Sequence, residues 1–308
     1  MGGSSFSTAD WSRASSTVRD QPLHKTNVSS SLKDELNPAL MKNNCRESCD
    51  SVHNPNSTAI IIGLDMTGSM SSIISQIMGK SLGTLFEYIY DRKPVSDPQV
   101  LFCAVGDEMA GDPAPFQVGQ FESECGRLMT TLKDFWVDGC RGGNNDVESY
   151  DLPYFFASHM TKIDCMKKRN QKGFIFTIGD EPPPSTLSPK TVKRVFGIDI
   201  QKEISFKDLI QLTSQSYIPF HIIMSEGFHP KLHGINSVLQ PWQNLLGENA
   251  IVCDDSTKLS EVITSILEIK AGKNKTEVIN SWDSTTTLVV QKAVGNLPAQ
   301  QSGGLVFN

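Results

Sequence analysis

Three aspartates in this chain stand in the same place relative to an apolar run. Asp65 follows Ala59-Ile60-Ile61-Ile62-Gly63-Leu64, Asp107 closes Gln99–Gly106, and Asp180 closes Gly173–Gly179. A continuous apolar run of that length marks a strand buried on both faces, the kind found in parallel sheets. Parallel strands present their carboxyl ends on one side, so the three carboxylates are expected to crowd one rim, where open α/β sheets bind ligands. Carboxylates that close raise one another's pKa, and a bound cation relieves the repulsion. The first loop adds oxygens. In Asp65-Met66-Thr67-Gly68-Ser69 the oxygen-bearing side chains alternate, and alternate side chains of an extended backbone point the same way. One carboxylate with two hydroxyls is a hard-oxygen set, suited to Mg²⁺, Mn²⁺ or Ca²⁺ and poor for Zn²⁺.

The elements that must carry these residues are legible as alternation. After the first loop, Ile74, Ile77, Met78, Leu82, Leu85, Phe86 and Ile89 recur at helical spacing. A short strand is expected near Phe116–Phe121, then a helix from about Ser123 to Phe135. Asp138–Asp146 reads as a Gly-rich loop, Asp151–Met166 as a helix, Ser205–Tyr217 as a helix, Ile218–Met224 and Ala250–Cys253 as strands, and Leu259–Ile269 as a helix. Strands alternating with helices predict an α/β fold: a doubly wound, mostly parallel sheet with helices on both faces. Residues 1–57 are Ser-rich and poor in large apolar groups, so they are expected to form a largely disordered arm. The domain proper is expected over 58–272. Residues 273–308 are read as a tail in which Leu288-Val289-Val290 adds an edge strand or stays loose.

Bulk composition sets limits. The chain has 308 residues, 38% of them hydrophobic, with Asp+Glu 34 against Lys+Arg 28 and a formal net charge of −6. That balance leaves no electrostatic footprint for nucleic acid and none for an anionic membrane surface. No run approaches the roughly 20 apolar residues of a membrane helix, and the first residues lack a secretory signal. The seven cysteines are scattered, as in a reducing compartment. A cytoplasmic protein is expected. Cys45, Cys49 and His53 depart from zinc spacing. His229 and His233 are four apart, but Pro230 and Gly234 argue against a shared helical face, and a surface loop is expected there.

Taken together, the loops resemble those of von Willebrand factor type A domains. Ile61–Met70 is similar to the first strand and first metal loop of that family, Asp-x-Ser-x-Ser, with Thr67 in the first Ser position. Asn144–Ser149, after Gly142-Gly143, resembles the second loop, and Thr177–Pro183 the third. Val105–Phe121 is similar to a strand end followed by an antiparallel edge strand. The resemblance covers roughly residues 58 to 272. It implies six strands, five parallel and one antiparallel at an edge, and a metal-ion-dependent adhesion site holding Mg²⁺ (or Mn²⁺ or Ca²⁺). By this carry-over Asp65, Thr67, Ser69, Asp146 and Asp180 hold the ion. Asp107, Glu148 and Asn145 stand behind them or serve as alternative ligands; the plainer roles are a turn cap for Asp107 and a first-turn helix carboxylate for Glu148. A third carboxylate at Asp146 would tighten the ion and reduce its demand for an outside carboxylate.

The function this implies is a non-enzymatic binding module. Its cation would bridge to an acidic side chain of a protein partner within a multiprotein complex. Two other classes stand beside it. One is a Mg²⁺-dependent hydrolase or phosphatase, although no His–carboxylate pair is visible as a general base. The other is a structural component of a large assembly.

Overall fold

The structure is a computed structural model, which describes residues 29–78, 82–143 and 147–298. Ten strands occur among them: β1 (Arg46–Ser48), β2 (Thr58–Asp65), β3 (Pro98–Val105), β4 (Phe116–Val118), β5 (Thr161–Ile163), β6 (Gly173–Gly179), β7 (Thr186–Leu187), β8 (Ile204–Ser205), β9 (Tyr217–Met224) and β10 (Ala250–Cys253). Six form the central sheet in the spatial order β10-β9-β6-β2-β3-β4. All neighbours are parallel except β3 and β4. From β2 the chain builds outward through β3 to β4, then returns to the other side of β2 for β6, β9 and β10. Strand order therefore reverses between β2 and β6, the two strands that carry Asp65 and precede Asp180.

Side-chain alternation divides the core into two apolar layers, one on each face of the sheet. Ile60, Ile62 and Leu64 of β2 join Phe102, Phe176 and Ile222 in one layer; Ala59 and Ile61 join Leu101, Ile175 and Ile223 in the other. Helices Leu82–Arg92, Cys125–Asp134 and Leu259–Lys270 cover the first layer through residues such as Phe86, Leu128 and Ile263. Helices Asp151–His159, Pro189–Phe196, Phe206–Thr213 and Asn236–Leu246 cover the second through Phe155, Phe196, Leu209 and Trp242. This explains the unbroken apolar runs: with both faces covered, neither set of alternate side chains meets water.

Several boundaries differ from expectation. The helix expected over Asp151–Met166 ends at His159; Thr161–Ile163 becomes β5, and a second helix runs Asp164–Arg169. The break serves β1, which pairs in parallel with β5. Residues 29–57 are thus no disordered arm where the structure describes them. Three 3₁₀ turns precede β1, Leu36 and Met41 are buried, and the Arg46 side chain donates to the backbone carbonyls of Gly119 and Glu35 at 2.9 and 2.7 Å. The remainder of that segment, 1–28, lies outside the described residues.

The tail also differs. Leu288-Val289-Val290 adds no strand to the sheet; it lies within the helix Ser284–Val294, following the helix Lys275–Asn280. Asp283 caps the longer helix by accepting from the backbone N–H groups of Thr285 and Thr286. Val278, Val290, Val294 and Leu297 are buried in the first layer, while Leu288 points to solvent. The run of Thr and Val favours a strand by propensity, but a capped start and a helical apolar face outweigh a preference of a few tenths of a kcal/mol per residue.

The clamp between the leading segment and the domain is ionic. Asp50 accepts two hydrogen bonds from Arg169 at 2.8 and 3.1 Å and two from Ser57 at 3.1 and 2.7 Å. The Arg169 guanidinium, ahead of the Ser57 and Lys168 contacts, holds the Asp50 carboxyl well below the usual carboxylate range. A carboxylate of depressed pKa contributes stability above its unfolded value, and that contribution is lost as pH falls through the folded value. Asp50→Asn is therefore expected to lower stability by on the order of 1–2 kcal/mol at neutral pH. Urea unfolding of both proteins from pH 7 down to pH 2 checks this, and the gap between them should close in acid.

Candidate metal centre

β2 and β6 pair with Leu64 opposite Ile178. Asp65 and Asp180 consequently leave adjacent strands at the same rim, one residue out of step. Both are fully buried, and the loop between β2 and the helix Ser71–Gln76 joins them. Asp65 Oδ1 accepts from the Thr67 N–H at 2.9 Å and from Thr67 Oγ1 at 2.6 Å. Thr67 Oγ1 lies 3.1 Å from Ser69 Oγ, which donates to Asp180 Oδ1 at 2.9 Å. Two carboxylates and two hydroxyls thus form one continuous chain of oxygens across the rim.

The outer oxygen of each carboxylate is held by a neutral donor. Tyr150, one residue before the helix Asp151–His159, donates its hydroxyl to Asp65 Oδ2 at 2.5 Å and accepts from the Glu181 N–H at 3.4 Å. Asp180 Oδ2 accepts from the N–H groups of Phe228 and His229 at 2.7 and 3.3 Å. Gly179 makes the crossing feasible, because a Cβ there would lie 1.9 Å from the Tyr150 hydroxyl and 2.8 Å from Asp65 Oδ2. Burial, and after it the charge of Asp180, push the Asp65 carboxyl up to about 7.

The second loop is tied down by a residue that sequence reasoning passed over. Asp112, buried after β3, accepts from the N–H groups of Asp107, Arg141 and Gly142. Gly68 in turn donates to the Arg141 carbonyl at 3.1 Å. Gly142 has φ +72°, and a Cβ there would lie 3.0 Å from Thr67 Cβ and 3.1 Å from Glu148 Oε1. Asn145 and Asp146 lie outside the described residues.

Asp107 lies at this rim and takes the role of a turn cap: its Oδ1 accepts from the Met109 and Ala110 N–H groups. Glu148 is no first-turn helix carboxylate. It precedes the helix, is 4% exposed, and lines a cleft of about 400 Å³ with Thr67, Ser69, Glu181, Phe228 and His229. Burial first, then Asp65, Asp107 and Glu181, push its carboxyl up to about 10. The expected surface loop at His229–His233 is a short helix, Phe228–His233. Pro230 falls in its first turn, where proline is tolerated. The two rings lie 4.7 Å apart, and His229 Nδ1 is 2.5 Å from Glu181 Oε2, making the His–carboxylate pair that the sequence did not reveal.

Beneath the rim lies an aromatic floor. Trp242 stacks on His221 at 3.7 Å, packs edge-on against Tyr150, and donates its indole N–H to the Glu181 carbonyl at 3.0 Å. Burial holds the His221 imidazole well below its ordinary pKa, so it sits there neutral. Among the described residues, no group of three or more His, Cys, Asp or Glu side chains is placed to hold a metal ion; the converging set is half carboxylate and half hydroxyl. The seven cysteines, including Cys45 and Cys49, are free thiols. Tyr150→Phe removes a buried donor from Asp65 and is expected to cost about 1.5–3 kcal/mol in chelator, measured by urea unfolding at pH 8.

No family model matches the chain, and no curated protein matches it. Among solved structures, the pilus adhesin SpaC from Lactobacillus rhamnosus GG is similar in two crystal structures, one of an open conformation. Both are 10% identical over 75% of this chain, with TM-scores of 0.46 and 0.47. The chain spans 31% of the adhesin. No helix among the described residues is long and apolar enough to cross a membrane.

Proposed function

We propose that this chain is a divalent-cation-dependent protein-binding module, built on a doubly wound fold of the von Willebrand factor type A kind. Asp65, Thr67, Ser69 and Asp180 would hold the ion, with Asp146 joining them by the resemblance of its loop. The observation that carries this reading is the unbroken chain from Asp65 Oδ1 through the Thr67 and Ser69 hydroxyls to Asp180 Oδ1. Buried like charges are costly unless paired. Among the described residues, neither aspartate makes an ion pair with Lys or Arg. Their partners are hydroxyls and backbone N–H groups, which leave the negative charge in place. Such a set fits a hard ion of the Mg²⁺, Mn²⁺ or Ca²⁺ type and is a poor match for soft metals.

The ion's contribution would be an electrostatic bridge to a carboxylate of the partner. Partner capture is expected with Mg²⁺ and is expected to fail in EDTA or with Ser69→Ala. A pull-down comparing these conditions tests the reading, together with calorimetric titration of Mn²⁺ into wild type and Ser69→Ala. Heat of binding that is absent from wild type, or indifferent to Ser69→Ala, would sink it.

A second reading rests on the His229–Glu181 pair at the cleft. An imidazole oriented by a carboxylate is the arrangement a general base requires, so a metal-dependent hydrolase has a candidate base. Turnover of a generic phosphoester that is lost in both Asp65→Ala and His229→Ala would replace the binding reading with this one.

A further inference from the structure

A second cleft, of about 850 Å³, lies between the leading segment and the domain. Its walls come from residues between Lys42 and Ser51, from Gln99, and from the stretch Gln120–Ser123 beyond β4. Gln99 pairs with Ala59 near the start of β2, so this cleft sits at the amino end of the sheet, opposite the rim. Arg46 lines it. Among the described residues Arg46 is the only Lys or Arg that is buried, at 6% exposed. Pairing with β5 turns Arg46 and Ser48 inward and Glu47 outward. Arg46 Nε and Nη2 donate to the Gly119 and Glu35 carbonyls, and among the described residues Nη1 meets no acceptor and the guanidinium has no ion pair. Carbonyls accept from a guanidinium without cancelling its charge, and a buried charge is costly unless paired. Burial holds this guanidinium below its ordinary pKa, and what acts the other way is the Cys45 thiol, not a carboxylate. The acids in the walls are already matched. Glu47 lies 3.9 Å from Lys162, Glu122 lies 3.6 Å from Arg127, and Asp50 lies 2.8 Å from Arg169. Lys42 is exposed and makes no ion pair among the described residues. Two cations, Arg46 and Lys42, therefore line the cleft without a counter-charge. The frame around them is fixed: the Ser48 hydroxyl donates to Gln99 Oε1 at 2.8 Å, and Gln99 Nε2 donates to the Cys49 carbonyl at 2.9 Å.

We propose that this cleft binds a small organic phosphate, whose phosphate group meets Arg46 and Lys42. A phosphate monoester carries about −1.5 to −2 charges near pH 7, which matches two unpaired cations where a single carboxylate would match one. Arg and Lys are the side chains that bind phosphate oxygens most strongly. The volume exceeds what a bare ion fills and falls in the range of roughly 300–1,000 Å³ that holds small organic molecules. Phe121, Gln120 and Ser123 give the remaining wall aromatic and polar surface for the organic body. The site shares no residue with the rim and stands or falls separately from the cation reading.

The test is calorimetric titration and thermal unfolding of the full chain in EDTA, which silences any ion at the rim. The probes are inorganic phosphate, ribose 5-phosphate and AMP, with ribose as the uncharged arm and citrate as the carboxylate arm. At least one of the two esters is expected to bind wild type more tightly than inorganic phosphate does and to raise its Tm, while ribose does neither. Added NaCl should weaken the binding. Arg46→Gln is expected to weaken it about tenfold or more, and Lys42→Gln about threefold or more, through loss of a charge-assisted contact. Lys172→Gln, an exposed change outside the cleft, should bind as wild type does. Arg46 also holds two backbone carbonyls, so Arg46→Gln can lose stability without any ligand; Lys42→Gln touches no other described contact and decides the matter if Arg46→Gln does not fold. No binding of either ester, affinity unchanged in Lys42→Gln, an equal loss in Lys172→Gln, or citrate preferred over both esters overturns the proposal.

Discussion

Two buried carboxylates on neighbouring strand ends set the terms for everything at the rim. Asp65 and Asp180 each accept three hydrogen bonds, and every donor is a hydroxyl or a backbone N–H. Neutral donors stabilise a carboxylate without cancelling its charge. The requirement then propagates outward. Tyr150 has to sit one residue ahead of its helix, residue 179 has to lack a side chain, and the turn at Gly227 has to approach closely, since a Cβ there would lie 2.2 Å from Asp180 Cβ. Trp242 and His221 have to fill the floor so that water does not take the donors' places.

The strand ends were legible because burial on both faces writes a plain signal. β2, β3, β6 and β9 appear in the sequence as apolar runs, and the acidic residue at the end of three of them stands out by contrast. The groups that finish the site were not legible. Tyr150 lies in a stretch where an aromatic residue looks like any core residue. Asp112 lies in a loop of Gly and Pro where an aspartate is ordinary. Pro230 and Gly234 argue against a helix at His229, although the proline falls in a first helical turn, where its missing N–H costs little. Each acts through contacts more than 25 positions away in the chain, and periodicity carries no information at that range. The same limit explains the ends of the domain. β1 exists through β5, some 115 residues further on, and the final helices exist through a face that meets the helix Leu259–Lys270; local composition registers neither.

Hydrogen-bond satisfaction separates the carboxylates at the rim. Asp65 and Asp180 are each fixed by three donors, and turning either aside would strand those donors in a buried site. Glu148 Oε2, equally buried, meets no hydrogen-bond donor among the described residues. Like charges that close do not all remain ionised. Burial and the neighbouring acids push the Glu148 carboxyl up to about 10, whereas the Asp65 carboxyl, with its three donors, is pushed up to about 7. Donor supply, more than burial, therefore sets which carboxylate holds its charge.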